Sequence, residues 1–210
     1  NICQQLNNNS KAISLLRESI KINPKNFVPF FKMGFILNNN GRYFEAYPFA
    51  KKTIEIEPKL WQGYHNLIKI LRNLNRPIEA IEISKNATKR CTNTHLFFGL
   101  LGDIYSESGN FVYAEENYKK AIEIAPQHDD TIYGYANFLT GIGDKENSID
   151  LLKKIIKINK YHSMSYYSLS RLITPKEDAS LTNEILDLNL NHFKDNYSKY
   201  NILFSKSNIF

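Results

Sequence analysis

Cysteine is scarce in this chain. Only Cys3 and Cys91 occur in 210 residues, and neither belongs to a Cys-x-x-Cys pair. Two isolated thiols cannot form a disulfide framework, so a reducing compartment and a cytoplasmic location are expected. Long apolar runs are missing as well. No stretch of about 18 apolar residues is present to span a bilayer, and the N-terminus lacks the basic-then-apolar layout of a secretory leader. A soluble chain without a membrane partner is therefore expected, and its 42% apolar content is enough to bury a core. Charge of one sign is not segregated into runs. The net +6 is spread along the chain with acids between the bases, as in Lys51-Lys52-Thr53-Ile54-Glu55 and Glu115-Glu116-Asn117-Tyr118-Lys119-Lys120. That is the pattern of solvated helix faces, and no nucleic-acid partner is expected from it.

Catalytic and cofactor signatures are absent too. There is no Gly-x-Ser-x-Gly elbow and no phosphate-binding or dinucleotide-binding glycine loop after a strand pattern. Gly141-Ile142-Gly143 reads as a turn between helices. Adjacent acids such as Glu115-Glu116 and Asp129-Asp130 diverge by about 100° on a helix, so they do not form a converging acid/base pair. His128 and His162 lie 34 residues apart at equivalent places, with His95 one position off the same column. Stacked helices stand roughly 10 Å apart, whereas metal ligands must lie within about 2 Å of one ion. No metal, no cofactor and no catalytic residue are expected, and the chain itself is not read as an enzyme.

What the sequence does contain is a period. Pro24 and Pro58 are 34 residues apart, and Pro126 follows after a further 68. Each closes a similar string: Ile20-Lys21-Ile22-Asn23-Pro24, Ile54-Glu55-Ile56-Glu57-Pro58 and Ile122-Glu123-Ile124-Ala125-Pro126. The layout is a partial unit at 1–26, full units at 27–60, 61–94, 95–128 and 129–162, and a partial unit from 163. Small residues then share columns: Ala12, Ala46, Ala80, Ala114 and Ser148; Ser19, Thr53, Ala87 and Ala121; Gly34, Gly102 and Ala136. Such residues are needed where helices approach too closely for a longer side chain. Large residues fill complementary columns, Phe30, Tyr64, Phe98, Ile132 and Tyr166 in one and Met33, Leu67, Leu101, Tyr135 and Leu169 in the next. Gly41, Gly109 and Gly143 align in the turn between the two helices of each unit, where a helix C-terminus favours a left-handed residue.

These columns, most complete in Phe98, Leu101, Gly102, Tyr105, Gly109, Ala114, Tyr118, Ala121 and Pro126, resemble the tetratricopeptide repeat (TPR). The resemblance implies an all-α fold, a right-handed superhelical solenoid of antiparallel helix-turn-helix TPR hairpins, over residues 1–173. Ile68 and Ile155 depart from it where small residues are usual, and Thr92 and Lys160 where proline is usual. It also implies a protein or peptide partner held on the concave face lined by the first helix of each hairpin. Counted by column, that face holds Phe31, Phe35, His65, Asn66, Lys69, Arg72, Asn73, Leu100, Asp103, Tyr133, Asn137, Tyr167 and Arg171. Asn66, Asn73 and Asn137 are suited to hydrogen-bond the backbone of an extended segment. Some TPR domains clamp a terminal carboxylate at fixed columns. Here only Asn66 fits that set, and Phe31, Phe35, Leu96 and Leu100 occupy the matching places, so no such clamp is expected.

The register is lost at Thr174-Pro175-Lys176-Glu177-Asp178, leaving 174–210 as an irregular spacer, a short helix and the start of a further helical unit. Residues 163–210 resemble the region before the catalytic domain of bacterial TPR-containing sulfotransferases. The phosphosulfate-binding loop of those enzymes is not found here, so no catalytic residue is carried over. That resemblance gives an alternative function, the non-catalytic arm of a larger transferase, sulfotransferase-like or glycosyltransferase-like, with its catalytic domain beyond residue 210. Asn1 falls at the ninth position of a repeat, and no polar capping unit is visible, so a longer parent chain is expected.

Overall fold

A computed structural model of the chain describes residues 2–209, with side chains from Ser10 onward; Cys3 lies outside the described side chains. The described residues form twelve α-helices and no strand: α1 (Ile2–Ile22), α2 (Phe27–Asn39), α3 (Tyr43–Ile56), α4 (Trp61–Asn73), α5 (Pro77–Arg90), α6 (Thr94–Glu107), α7 (Phe111–Ile124), α8 (Asp129–Gly141), α9 (Lys145–Ile158), α10 (Ser163–Leu172), α11 (Ala179–Asp187) and α12 (Asn196–Ser207). A 3₁₀ turn at Leu190–His192 precedes α12. The fold is all-α, as the columns imply.

Two compact units divide the chain, Asn1–Ala114 and Glu115–Phe210, with the boundary inside α7. In the first, Met33, Leu37, Tyr64, Leu67, Ile70 and Phe97 anchor the core. In the second, Ile132, Leu152, Ile155, Tyr166, Leu169 and Ile202 do so. Each such side chain contributes about 1.5–3 kcal/mol when fully buried. The buried tyrosines keep their hydroxyls satisfied. Tyr64 donates to the Pro58 carbonyl at 3.2 Å and Tyr166 to Glu184 at 2.7 Å.

The turns show why the period exists. Gly41, Gly109 and Gly143 have φ of +73°, +75° and +88°. Each amide, and the next one along, bonds back to the closing turn of the preceding helix, as in Gly41 N–H to Asn38 O and Arg42 N–H to Leu37 O. This double bond pattern satisfies carbonyls that a helix end leaves unpaired. Asn75 stands in the same column with φ +55°, and its turn makes the same two bonds. Asparagine tolerates the left-handed region better than other side chains, which is how that hairpin closes without glycine. Residues 2–22 form one uninterrupted helix, so the column passes through Asn7 without a turn.

The second helices end at Ile22, Ile56, Arg90, Ile124 and Ile158, 34 residues apart each time. Proline follows two residues later in three cases, while Thr92 and Lys160 take its place without moving the end. Hairpin packing therefore sets these ends, and proline reinforces them.

Close helix contact explains the small columns. A Cβ built on Gly34 would stand 3.2 Å from the backbone nitrogen of Ala50 in α3. One period on, Ile68 occupies the Gly34 column and is fully buried. The residues in the Ala50 column are Ser84, Tyr118 and Leu152, all buried. Large Ile68 thus goes with small Ser84, and small Gly102 and Ala136 go with large Tyr118 and Leu152. Volume is exchanged between the two columns so that each layer stays filled.

After α10 the spacer is ordered by its own side chains. Glu177 accepts from the Thr174 amide and hydroxyl at 2.6 and 2.8 Å, and Asp178 caps α11 through Leu181 N–H at 2.9 Å. Lys153 of α9 pairs with Asp178 at 2.8 Å. Helix α12 then packs on α10, with Asn201 bonded to Ser163 at 3.2 Å.

Candidate functional site

In the first unit, α2, α4 and α6 bring their polar ends around an open cleft of about 560 Å³ lined by Asn38, Asn39, Lys69, Arg72, Asn73 and Glu107. Three expected groove residues, Lys69, Arg72 and Asn73, meet there. Arg72 reaches from α4 to α6, where its guanidinium binds both carboxylate oxygens of Glu107 and, at 3.1 Å, Asp103. Its charge is therefore committed to two acids of the same unit. Lys69 is exposed, and no described ion pair engages it. Asn39 completes the lining. It sits in the last turn of α2, and counting groove positions one per helical turn passes over it.

Two residues expected on this face are interior. Asn66 is 4% exposed: its Oδ1 accepts from Asn38 Nδ2 at 3.1 Å, and its own Nδ2 is buried beside Gly34 without a partner. Leu100 is 8% exposed and belongs to the core. Both columns turn inward because α4 and α6 are flanked by helices on two sides. Phe31 and Phe35 stack on α2 with ring centroids 6.2 Å apart, the first half-buried and the second 49% exposed. His65 is half-buried with its ring edge on Trp61. Burial, and then the positive charges of Lys69 and Arg72, push its pKa down to about 4, so it is neutral at pH 7. Gly99 holds the column of Phe31 and His65 one hairpin further on, and a Cβ there would meet nothing within 4 Å. The wall of the unit is open at that point.

The second unit carries a separate set. Tyr133 bonds Ser168 through its hydroxyl at 3.2 Å and lies 5.2 Å from the His162 ring. Arg171 stands over the Tyr167 ring at 5.6 Å, and Tyr167 meets Phe204 of α12 edge-on at 6.5 Å. Asn137 is exposed on α8.

The aligned histidines have a local task. His128 and His162 cap α8 and α10, each accepting through Nδ1 from the amide three residues on, Thr131 at 3.3 Å and Ser165 at 3.2 Å. A ring nitrogen here does what Ser or Asp does at other helix starts. Among the described residues no group of three or more His, Cys, Asp or Glu side chains is placed to hold a metal ion. Cys91 is a buried free thiol whose pKa burial raises. No described helix is long and apolar enough to cross a membrane.

Stacked antiparallel hairpins on a 34-residue column system define a helical-repeat protein. Profiles described as tetratricopeptide repeat match residues 15–47 and, separately, 1–26 and 97–128. The chain belongs to the tetratricopeptide-repeat family. No curated protein matches its sequence. Among solved structures it is similar to MamA, with 20% identity and a TM-score of 0.62 over 77% of this chain and 94% of that one. A tetratricopeptide repeat protein from Parabacteroides merdae gives 15% identity and a TM-score of 0.66 over 95% of this chain and 79% of that one. YrrB, a TPR protein with an unusual peptide-binding site, gives 14% and 0.53 over 91% and 97%. At these identities the likeness is one of fold.

Proposed function

We propose that this chain is a protein-interaction module that holds an extended segment of a partner protein in the cleft of its first unit, and we assign it no reaction. The observation that carries the proposal is the composition of that cleft. Asn38, Asn39 and Asn73 offer amides for backbone hydrogen bonds, and Lys69 is left as the uncommitted cation once Arg72 is engaged by Asp103 and Glu107. The exposed face of Phe35 on α2 adds an apolar surface for one side chain of the segment. That YrrB is a TPR protein with a peptide-binding site supports the same reading. Tyr133, Asn137, Tyr167 and Arg171 form a second candidate surface, on the other unit.

Asn66 and Arg72 are poor probes, because both hold helices together. The cleaner variant combines Asn39→Ala, Lys69→Glu and Asn73→Ala, all at exposed positions. Random peptides displayed on phage are panned against both proteins. Peptides enriched on the wild type and lost on the variant support the cleft; peptides retained equally by both place binding elsewhere and refute it.

A further inference from the structure

A second surface of the first unit repeats with the same period. Phe44, Ile78 and Val112 each stand second in their helix, in α3, α5 and α7, and are 85%, 82% and 71% exposed. The same pair of turn bonds precedes each, so all three project from equivalent places at the hairpin edge. Stacked hairpins space such residues about 10 Å apart. Phe111 and Tyr113, also exposed, broaden the row at Val112. Below the row the charges are paired: Arg42 holds Glu45 at 2.7 Å, and Arg76 holds Glu79 while lying 4.9 Å over the Tyr47 ring. The apolar side chains thus stand on a fixed, neutral base.

Two helical turns along, on the same face, runs a second row. Lys51 follows Phe44 by seven residues and Lys85 follows Ile78 by seven, a rise of about 10 Å. Arg17 of α1 shares the column, and all three are exposed. In the second unit this column is neutralised, Lys119 by Glu115 at 2.7 Å and Lys153 by Asp178 at 2.8 Å. In the first unit no described ion pair engages Lys51 or Lys85. The apolar row stops at the same boundary, since Glu146 takes the next place after Val112. Net charge follows suit. Residues 1–114 hold 15 of the 27 Lys and Arg but only 8 of the 21 Asp and Glu, so the whole positive excess lies in the first unit. Glu55 and Glu82 lie on the same helix faces, and Glu55 is held by Lys52 at 3.1 Å.

We infer that this outer face of the first unit docks on a bilayer surface containing anionic lipid. Phe44, Ile78 and Val112 enter the headgroup boundary, and Lys51 and Lys85 meet the anionic headgroups. An apolar row beside a cationic row is what a surface with an acyl layer beneath charged headgroups matches. A second copy of this chain would bring an equally basic face against it. A nucleic-acid backbone offers no seat for three exposed apolar side chains. A folded partner would need a pocket for every knob, whereas fluid lipid accommodates them wherever they fall. Docking of this kind needs no spanning helix and uses a face other than the cleft.

Flotation with phosphatidylcholine vesicles, with and without about one third phosphatidylserine, tests this on the whole chain. The chain is expected to float with the anionic vesicles and not with the neutral ones. Phe44→Ser, Ile78→Ser and Val112→Ser combined should weaken binding by about tenfold or more, as should Lys51→Glu with Lys85→Glu, both with unchanged circular dichroism. Failure of the wild type to float with anionic vesicles overturns the inference, and so does wild-type flotation of the apolar triple variant. Binding to poly-glutamate without binding to vesicles would assign the face to an acidic protein instead.

Discussion

Gly34 and Gly99 lie in corresponding first helices, and the same change at the two positions should have opposite effects. Glycine inside a helix costs about 1 kcal/mol relative to alanine, so Gly→Ala gains that much wherever the new methyl finds room. At Gly99 of α6 a Cβ meets no atom within 4 Å. Gly99→Ala should therefore stabilise the chain by about 0.5–1 kcal/mol. At Gly34 of α2 the same Cβ stands 3.2 Å from the Ala50 backbone nitrogen and 3.3 Å from Asn66 Nδ2. The first of these belongs to the backbone of α3, which cannot yield without moving the helix, and the second to a buried amide tied to Asn38. Overpacking of this sort costs about 1–3 kcal/mol, so Gly34→Ala should be neutral to about 2 kcal/mol destabilising. Urea denaturation followed by circular dichroism, comparing midpoints at constant slope, reads both values. If Gly34→Ala proved as stabilising as Gly99→Ala, the close approach of α2 to α3 would be refuted.

Asn75 supplies a second pair of tests. Asn75→Gly should stabilise by about 0.5–1 kcal/mol and Asn75→Ala should destabilise by about 1 kcal/mol, because its φ is +55°. Equal midpoints for the two variants would argue against the left-handed turn. His65 predicts a pH dependence. Its folded pKa, about 4, lies below the 6.5 of the unfolded chain, so unfolding takes up a proton between those values. Stability from this residue is complete above about pH 6.5 and falls as pH drops toward 4. Urea midpoints of wild type and His65→Gln should converge over that window; parallel curves would show that His65 is not held neutral.

How much of this could be read from the sequence depends on what kind of contact is involved. The period, the fold class and the glycine turns are legible because close helix approach and left-handed φ each admit few residue types. Asn75 escaped that reading: it does a glycine's work with a side chain that also occurs freely elsewhere. The histidine column was visible as a pattern, but its capping role was not, since capping is usually performed by Ser, Thr, Asp or Asn. The candidate face was less legible. A column count gives the order of residues on a helix but not how far neighbouring helices cover it, which is why Asn66 and Leu100 turned out to be interior. Nor does sequence spacing show that Arg72 of α4 spends its charge on Asp103 and Glu107 of α6, leaving Lys69 as the cation of the cleft.

Binding in that cleft is tested most directly by isothermal titration of a phage-selected peptide into wild type and Lys69→Glu. Lys69 lines the cleft, is exposed and engages no described ion pair, so reversing its charge alters the cleft and not the helix packing. The expected result is a loss of affinity of about tenfold or more for a peptide with an acidic residue, shrinking as salt is raised. Unchanged affinity in Lys69→Glu, with helicity intact, would contradict the assignment of the cleft.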